Sequence, residues 1–136
     1  GGILREMRVT AGHQIAGYRI VREDAGLMRQ ALEEWLLSTQ FDAVVSNGGT
    51  GLTARDGTVE VARSLFNKEM EGFGELFRLI SYHQIGPAAM LSRACAGVVG
   101  DKMLICLPGS SKAVRLATAR LIVPQLPHMI WEVRRQ

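Results

Sequence analysis

The chain reads as an α/β protein, a three-layer α/β/α sandwich on a mostly parallel sheet with one antiparallel edge strand. Three observations predict this. Short apolar runs alternate with segments of helical period, two of those runs lead directly into glycine-bearing loops, and two others are separated only by Gly100-Asp101-Lys102. Alternation of strand and helix favours parallel pairing under covering helices, whereas a tight turn such as Gly-Asp-Lys returns one strand antiparallel.

Residues 3–11 carry apolar positions at helical spacing and stop at Ala11-Gly12-His13, which predicts a first helix ended by a left-handed glycine. Ile15 to Val21 reads as a strand interrupted by Gly17. Asp24 stands where a cap belongs, ahead of a helix marked by Leu27, Met28, Ala31, Leu32, Trp35 and Leu36. Phe41 to Ser46 is a short apolar strand followed at once by Asn47-Gly48-Gly49-Thr50-Gly51. A helix follows Asp56-Gly57-Thr58 through Phe66, and another covers Phe73 to Tyr82. Pro87 suits the first position of a further short helix. ACAGVV and MLICL form a strand pair, and Pro108-Gly109-Ser110-Ser111 opens a helix through Ile122. A doubly wound sheet usually opens with a strand, so residues 1–136 read as a single domain whose first strand is expected to lie outside this chain.

Composition narrows the function classes. A chain of 136 residues supports one core. With 47% hydrophobic and 21% charged residues it lies far from disordered composition. A net charge of +3 with interspersed signs argues against nucleic acid and suits a small anionic ligand. Cys95 and Cys106 lie in apolar runs without C-x-x-C spacing, which predicts buried reduced thiols and a cytoplasmic setting. No apolar run reaches the roughly 18 residues of a membrane span, and Gly1 to Arg5 has no signal-peptide pattern.

The chemistry concentrates in two loops. Gly48-Gly49-Thr50-Gly51 and Pro108-Gly109-Ser110-Ser111 each follow a strand and precede a helix, the position at which open α/β sheets bind ligands. Glycine lets backbone amides approach an anion, and the helix amino terminus adds positive potential. Neither loop matches the dinucleotide or P-loop glycine pattern. After the first loop, Thr53, Arg55 and Asp56 supply a hydroxyl, a cation and a carboxylate. Asp56 either holds Mg²⁺ or caps the next helix, and Arg55 pairs with Asp56 or with phosphate. Arg93, in an apolar neighbourhood, needs an acid or an anion, and Glu75 is a candidate partner. His13 and His83 lack metal-ligand spacing, Trp35 reads as core, and Arg134-Arg135 as a solvated end.

Read in order, AGH at 11–13, IVRED at 20–24, SNGGTGLTARDGT at 46–58, KEMEGFGELFR at 68–78, LSRACAG at 91–97 and LPGSSKAVR at 107–115 resemble the molybdenum-cofactor biosynthesis protein B and MogA family over nearly the whole chain. The resemblance implies the molybdopterin-binding fold, assembled as homotrimers or homohexamers. It implies binding of molybdopterin, a phosphorylated pyranopterin dithiolene, and adenylylation of its phosphate with ATP and Mg²⁺, as a molybdopterin adenylyltransferase in molybdenum or tungsten cofactor biosynthesis. A downstream metal-inserting protein is the implied partner, with no nucleic acid and no membrane. The alternative is a catalytically inactive molybdopterin-binding or carrier protein of the same pathway.

Carried over residue by residue, Gly48, Gly49, Thr50 and Gly51 form the pterin-side loop with Thr53 and Arg55, and Asp56 is the catalytic carboxylate, acting through Mg²⁺. Pro108, Gly109 and Ser110 shape the second loop. Ser92 and Arg93 match the family's S-R pair, and Glu69, Gly72 and Glu75 its E-G-F-G-E segment. Where the MogA branch has Pro-Asp after the second strand this chain has Arg22-Glu23, so its second acid is Glu23 or Asp24.

Overall fold

The computed structural model describes residues 3–22, 24–37 and 40–135. One six-stranded sheet runs in the order β2-β1-β3-β6-β5-β4, with β1 Ile3–Val9, β2 Ile15–Arg22, β3 Ala43–Asn47, β4 Lys68–Glu69, β5 Cys95–Val99 and β6 Lys102–Leu107. Helices α1 Ala25–Leu36 and α2 Thr58–Leu65 cover one face. The other face carries α3 Glu71–Ile85, α4 Ser111–Ala117 and α5 Val123–Arg134.

The alternation of side chains along the central strands builds both cores. Val44, Leu104, Cys106 and Cys95 point toward Met28, Leu32 and Trp35 of α1 and Val59 and Ala62 of α2. The intervening Ala43, Val45, Met103, Ile105 and Leu107 point toward Phe73 and Phe77 of α3 and toward Ile122, Leu126 and Ile130. Because both faces are covered, β3 and β6 are buried along their whole lengths, and both are apolar except for Ser46 and Asn47 at the end of β3 and Lys102 at the start of β6. A fully buried side chain such as Phe77 or Leu104 contributes about 1.5–3 kcal/mol of transfer free energy.

The α/β sandwich stands as expected, and the sheet is mixed. β3 and β6 pair in parallel, while β1 with β2, β1 with β3, β5 with β6 and β4 with β5 are antiparallel. One source of the added antiparallel pairing is the start of the chain, where residues 3–9 are a strand and not the expected helix. Met7 and Val9 pack into the core beneath α5 while Arg8 stacks over the rings of Trp35 and Phe41. Pairing with β3 satisfies the backbone of a buried strand edge, a long-range gain that overrides the weak helical periodicity. The β1–β2 turn takes its left-handed residue at His13, φ 65°, not at Gly12.

Other elements follow the sequence. Asp24 caps α1, its carboxylate accepting from the Leu27 amide at 3.0 Å, and Ser110 caps α4 through the Ala113 amide. Pro87 lies in the first turn of a 3₁₀ helix, Gly86–Leu91. Gly100, φ 63°, turns the β5–β6 hairpin. Helix α5 is additional. It follows a π-helical stretch, Thr118–Ile122, placed just ahead of Pro124, whose missing N–H prevents the ordinary bond to residue 120. Arg134 is no free end, since it pairs with Asp42 at 2.8 Å and donates to the Asp101 carbonyl. Both cysteines are buried free thiols. Among the described residues no helix is long and apolar enough to cross a membrane.

Candidate functional site

The parallel register of β3 and β6 brings Asn47 level with Leu107, so the two glycine loops leave the sheet side by side. The Gly48 amide donates to the Leu107 carbonyl at 2.8 Å, and a Cβ on Gly109 would stand 3.6 Å from the Gly48 Cα. Gly48 and Gly49 take φ of 122° and 69°, values that side chains disfavour, so glycine is required there. The loops border a cleft of about 570 Å³ lined by Arg5, Asn47 to Gly51, Asp56, Leu91, Ser92, Pro108 and Gly109.

Asp56 lines this cleft through a closed local turn. Its Oδ2 accepts from the Thr53 amide at 2.9 Å and the Thr53 hydroxyl at 2.7 Å, and its own amide donates to the Thr53 carbonyl. Hydrogen bonds from Thr53, first from its hydroxyl, together with the Gly51 amide and the Arg93 charge, hold the Asp56 carboxyl below the usual aspartate range. A Cβ on Gly51 would lie 2.8 Å from Oδ2, so this glycine makes room for the carboxylate. Helix capping is not its role. The cap of α2 is Gly57, without a side-chain bond.

Arg93 braces the loop from behind. Its Nε donates to the Gly51 carbonyl at 2.9 Å, its Nη2 to the Asp56 carbonyl at 3.2 Å, and its amide to the Thr50 carbonyl at 2.9 Å. The acid partner is Glu60 of α2, met through both oxygens at 2.7 and 3.1 Å, in place of Glu75. The first turn of α2 projects Glu60 toward the loop, while Glu75 faces solvent from α3. The Arg93 hydrogen bonds hold the Glu60 carboxyl below the ordinary glutamate range.

The structure gathers Gly48, Gly49, Thr50, Gly51, Asp56, Ser92, Pro108 and Gly109 around one cleft, with Thr53 and Arg93 supporting it. Ser110, besides capping α4, lines a smaller cavity that shares Ser92 and Pro108 with this cleft. Arg55 is exposed and pairs with neither Asp56 nor any other described acid. Glu69 is ion-paired to Arg63 at 2.9 Å and borders a separate cavity of about 720 Å³ beside α5. Gly72 and Glu75 are exposed on α3, outside the cleft lining. The Asp24 carboxylate is engaged as the cap of α1, and Glu23 lies outside the described residues.

Arg5, Asn47 and Leu91 line the cleft without having been singled out from the sequence. Asn47 carried a signal, being the residue that joins a buried strand to a glycine loop. Arg5 reaches the cleft through its pairing opposite Asn47, a contact across 42 residues that no local motif announces. For Mg²⁺, Asp56 is the single carboxylate among the described residues that line the cleft, and the described residues contain no group of three or more His, Cys, Asp or Glu able to hold a metal. That donor set fits an ion delivered on a phosphate, since Mg²⁺ is commonly held by one or two carboxylates plus substrate oxygens.

Comparison with known proteins gives a consistent result. Residues 1–128 match the family model described as "Probable molybdopterin binding domain". The chain is 47% identical over 137 aligned residues to the molybdenum cofactor biosynthesis protein B of Bacillus cereus, covering 100% of this chain and 81% of that protein. It is similar to a crystal structure of a molybdenum cofactor biosynthesis protein B, with a TM-score of 0.88, 49% identity, and coverage of 93% of this chain and 79% of that one. The tungsten cofactor synthesizing protein from Pyrococcus furiosus superposes with a TM-score of 0.76 at 37% identity, covering 83% and 71%.

Proposed function

The chain belongs to the molybdopterin-binding domain family of molybdenum-cofactor biosynthesis, and we propose that it acts as a molybdopterin adenylyltransferase in molybdenum or tungsten cofactor assembly. The observation that carries this reading is the convergence of both glycine loops and Asp56 on one cleft. Backbone amides of Gly49, Thr50 and Gly109 suit phosphate oxygens, and the amino terminus of α2 lies just beyond the first loop. Attack of the pterin phosphate on the α-phosphorus of ATP expels pyrophosphate and needs no covalent nucleophile. What the chain supplies is position and charge neutralisation.

Asp56 would hold the Mg²⁺ that accompanies ATP, an ion whose chemistry is to neutralise charge on the phosphate oxygens. Thr53 and Gly51 keep this carboxylate ionised and oriented, and Arg93 fixes the carbonyls of Gly51 and Asp56. We read residues 1–136 as one domain, acting in the cytoplasm and self-associating as a trimer or a pair of trimers.

The test is formation of adenylyl-molybdopterin from molybdopterin, ATP and Mg²⁺ by the full-length protein, with a metal-free control. Metal-dependent product supports the transferase, and Asp56→Asn is expected to abolish it without altering folding. Tight pterin binding with no product identifies a carrier of the same fold.

A further inference from the structure

The loop amides proposed to hold phosphate suit any phosphate, a group common to many metabolites that backbone amides cannot tell apart. Side chains must supply the discrimination. Those lining the cleft belong to Arg5, Asn47, Thr50, Asp56, Leu91, Ser92 and Pro108, and among them only Asn47 carries a carboxamide. Asn47 ends β3 and is 9% exposed, held there by the backbone register of the sheet. Its Oδ1 is buried and has no hydrogen-bond partner. Glu6 Oε2, Arg8 Nε and Ser46 Oγ are likewise unpaired, but none of these residues lines the cleft. An unpaired amide oxygen in the wall of a cleft costs desolvation free energy in the empty protein, and a ligand that completes it recovers that cost.

The chemistry of the missing partner follows from the carboxamide itself. It offers an acceptor and a donor side by side, and which end faces outward is fixed by what it binds. An ionised phosphate presents acceptors only and leaves the amide oxygen unpaired. A planar nitrogen heterocycle with adjacent donor and acceptor satisfies both ends, as when Asn reads the edge of adenine. A pterin ring presents the same pattern in its lactam N–H beside a carbonyl. We infer that Asn47 is the heterocycle-reading residue of the cleft, pairing with the donor–acceptor edge of a bound nitrogen ring while the glycine amides hold the phosphate. This assignment rests on the proposed molybdopterin and ATP site and specifies which residue recognises the ring in place of the phosphate.

The experiment measures equilibrium binding of molybdopterin, of ATP with Mg²⁺, and of inorganic pyrophosphate as a ring-free probe. The full-length protein is compared with Asn47→Ala and Asn47→Ser, and thermal melts are recorded for each. We expect affinity for molybdopterin or for ATP to fall about tenfold in both variants, the equivalent of ~1.4 kcal/mol, and the ligand affected identifies the ring. Pyrophosphate binding stays unchanged, and the melting temperature holds or rises because an unpaired buried amide has been removed. Equal affinity of wild type and variants for both ring-bearing ligands overturns the inference and leaves the molybdopterin site standing. So does an equal loss of pyrophosphate binding together with a lowered melting temperature, which marks a structural asparagine. Asn47-dependent binding of ATP by a protein that ignores molybdopterin sustains the inference while removing the pterin reading. A wild-type protein that binds none of the three overturns both.

Discussion

At the scale of single residues the cleft depends on glycines and on one arginine. Gly51 has no left-handed φ, so space decides its replacement, and the atom that Ala at this position would meet is the Asp56 carboxylate. Gly51→Ala is therefore expected to displace Asp56 from Thr53 and lower the melting temperature only by the modest stability which that pairing confers. Adenylylation should fall on the order of 100-fold, the cost of a misplacement near 1 Å. Arg93→Lys should destabilise by about 1–3 kcal/mol in denaturant titration, because an ammonium cannot span Glu60 and two loop carbonyls at once. A loss no larger than that of an ordinary exposed ion pair would remove Arg93 from its bracing role. Asp56 also gives a pH signature. Its carboxyl is held low in the folded state by Thr53, so the unfolded chain binds a proton more readily. The stability it confers is complete above the unfolded value, near 4, and disappears as the pH falls through the folded one. Melting temperatures recorded between pH 6 and pH 3 should fall less steeply on acidification for Asp56→Asn than for wild type. Coincident slopes would show that Asp56 carries no such linkage.

At the scale of elements, close packing sets where sequence reading succeeds. The elements defined by local chemistry were legible. Asp24 and Ser110 cap their helices, Gly100 turns its hairpin, and both glycine loops fall where a strand meets a helix. Those requiring distant partners were not. Residues 3–9 carry enough helical spacing to mislead until β3 is present to pair with them, and Arg5 reached the cleft only through that pairing. The helix expected to run through Ile122 is followed by α5, where burial of Leu126 and Ile130 against the sheet sustains helix despite Pro124 and Pro127. The cleft residues on the glycine loops could be located because glycine advertises a backbone need. Glu69, Gly72 and Glu75, carried over by resemblance, fall outside the cleft of this chain. Helix α3 shows how contact can reverse a local preference. Ala is a better helix former than Gly by roughly 1 kcal/mol, yet a Cβ on Gly74 would stand 2.8 Å from the Ala94 carbonyl and crowd the Arg78 guanidinium bonded to it. Gly74→Ala should accordingly lower stability by about 1–3 kcal/mol. A stabilised variant would show that α3 can move away from β5 at little cost.

At the scale of the whole molecule, one surface is too apolar for a helix that ends in water. α3 turns Phe73 and Phe77 inward, and its outer side presents Leu76, Leu79, Tyr82 and Ile85 at successive three-residue steps, each more than half exposed. The 3₁₀ helix extends this face with Met90 and Leu91, and Leu91 also lines the candidate cleft. Contiguous exposed apolar surface of this kind marks an association site, and closed rotational symmetry lets identical copies cover it without leaving an open end. The self-association proposed above has its natural seat here. Light scattering of the full-length protein at micromolar concentration should give a trimer mass or a multiple of it, and Leu79→Glu should shift the mass to that of a monomer while the cores beneath α3 remain folded. Because Leu91 belongs to both the apolar face and the cleft wall, the monomeric variant should also bind pterin more weakly than the assembled protein. A variant that stays trimeric would move the interface elsewhere, and a monomeric one with full affinity would show that each chain builds its cleft alone.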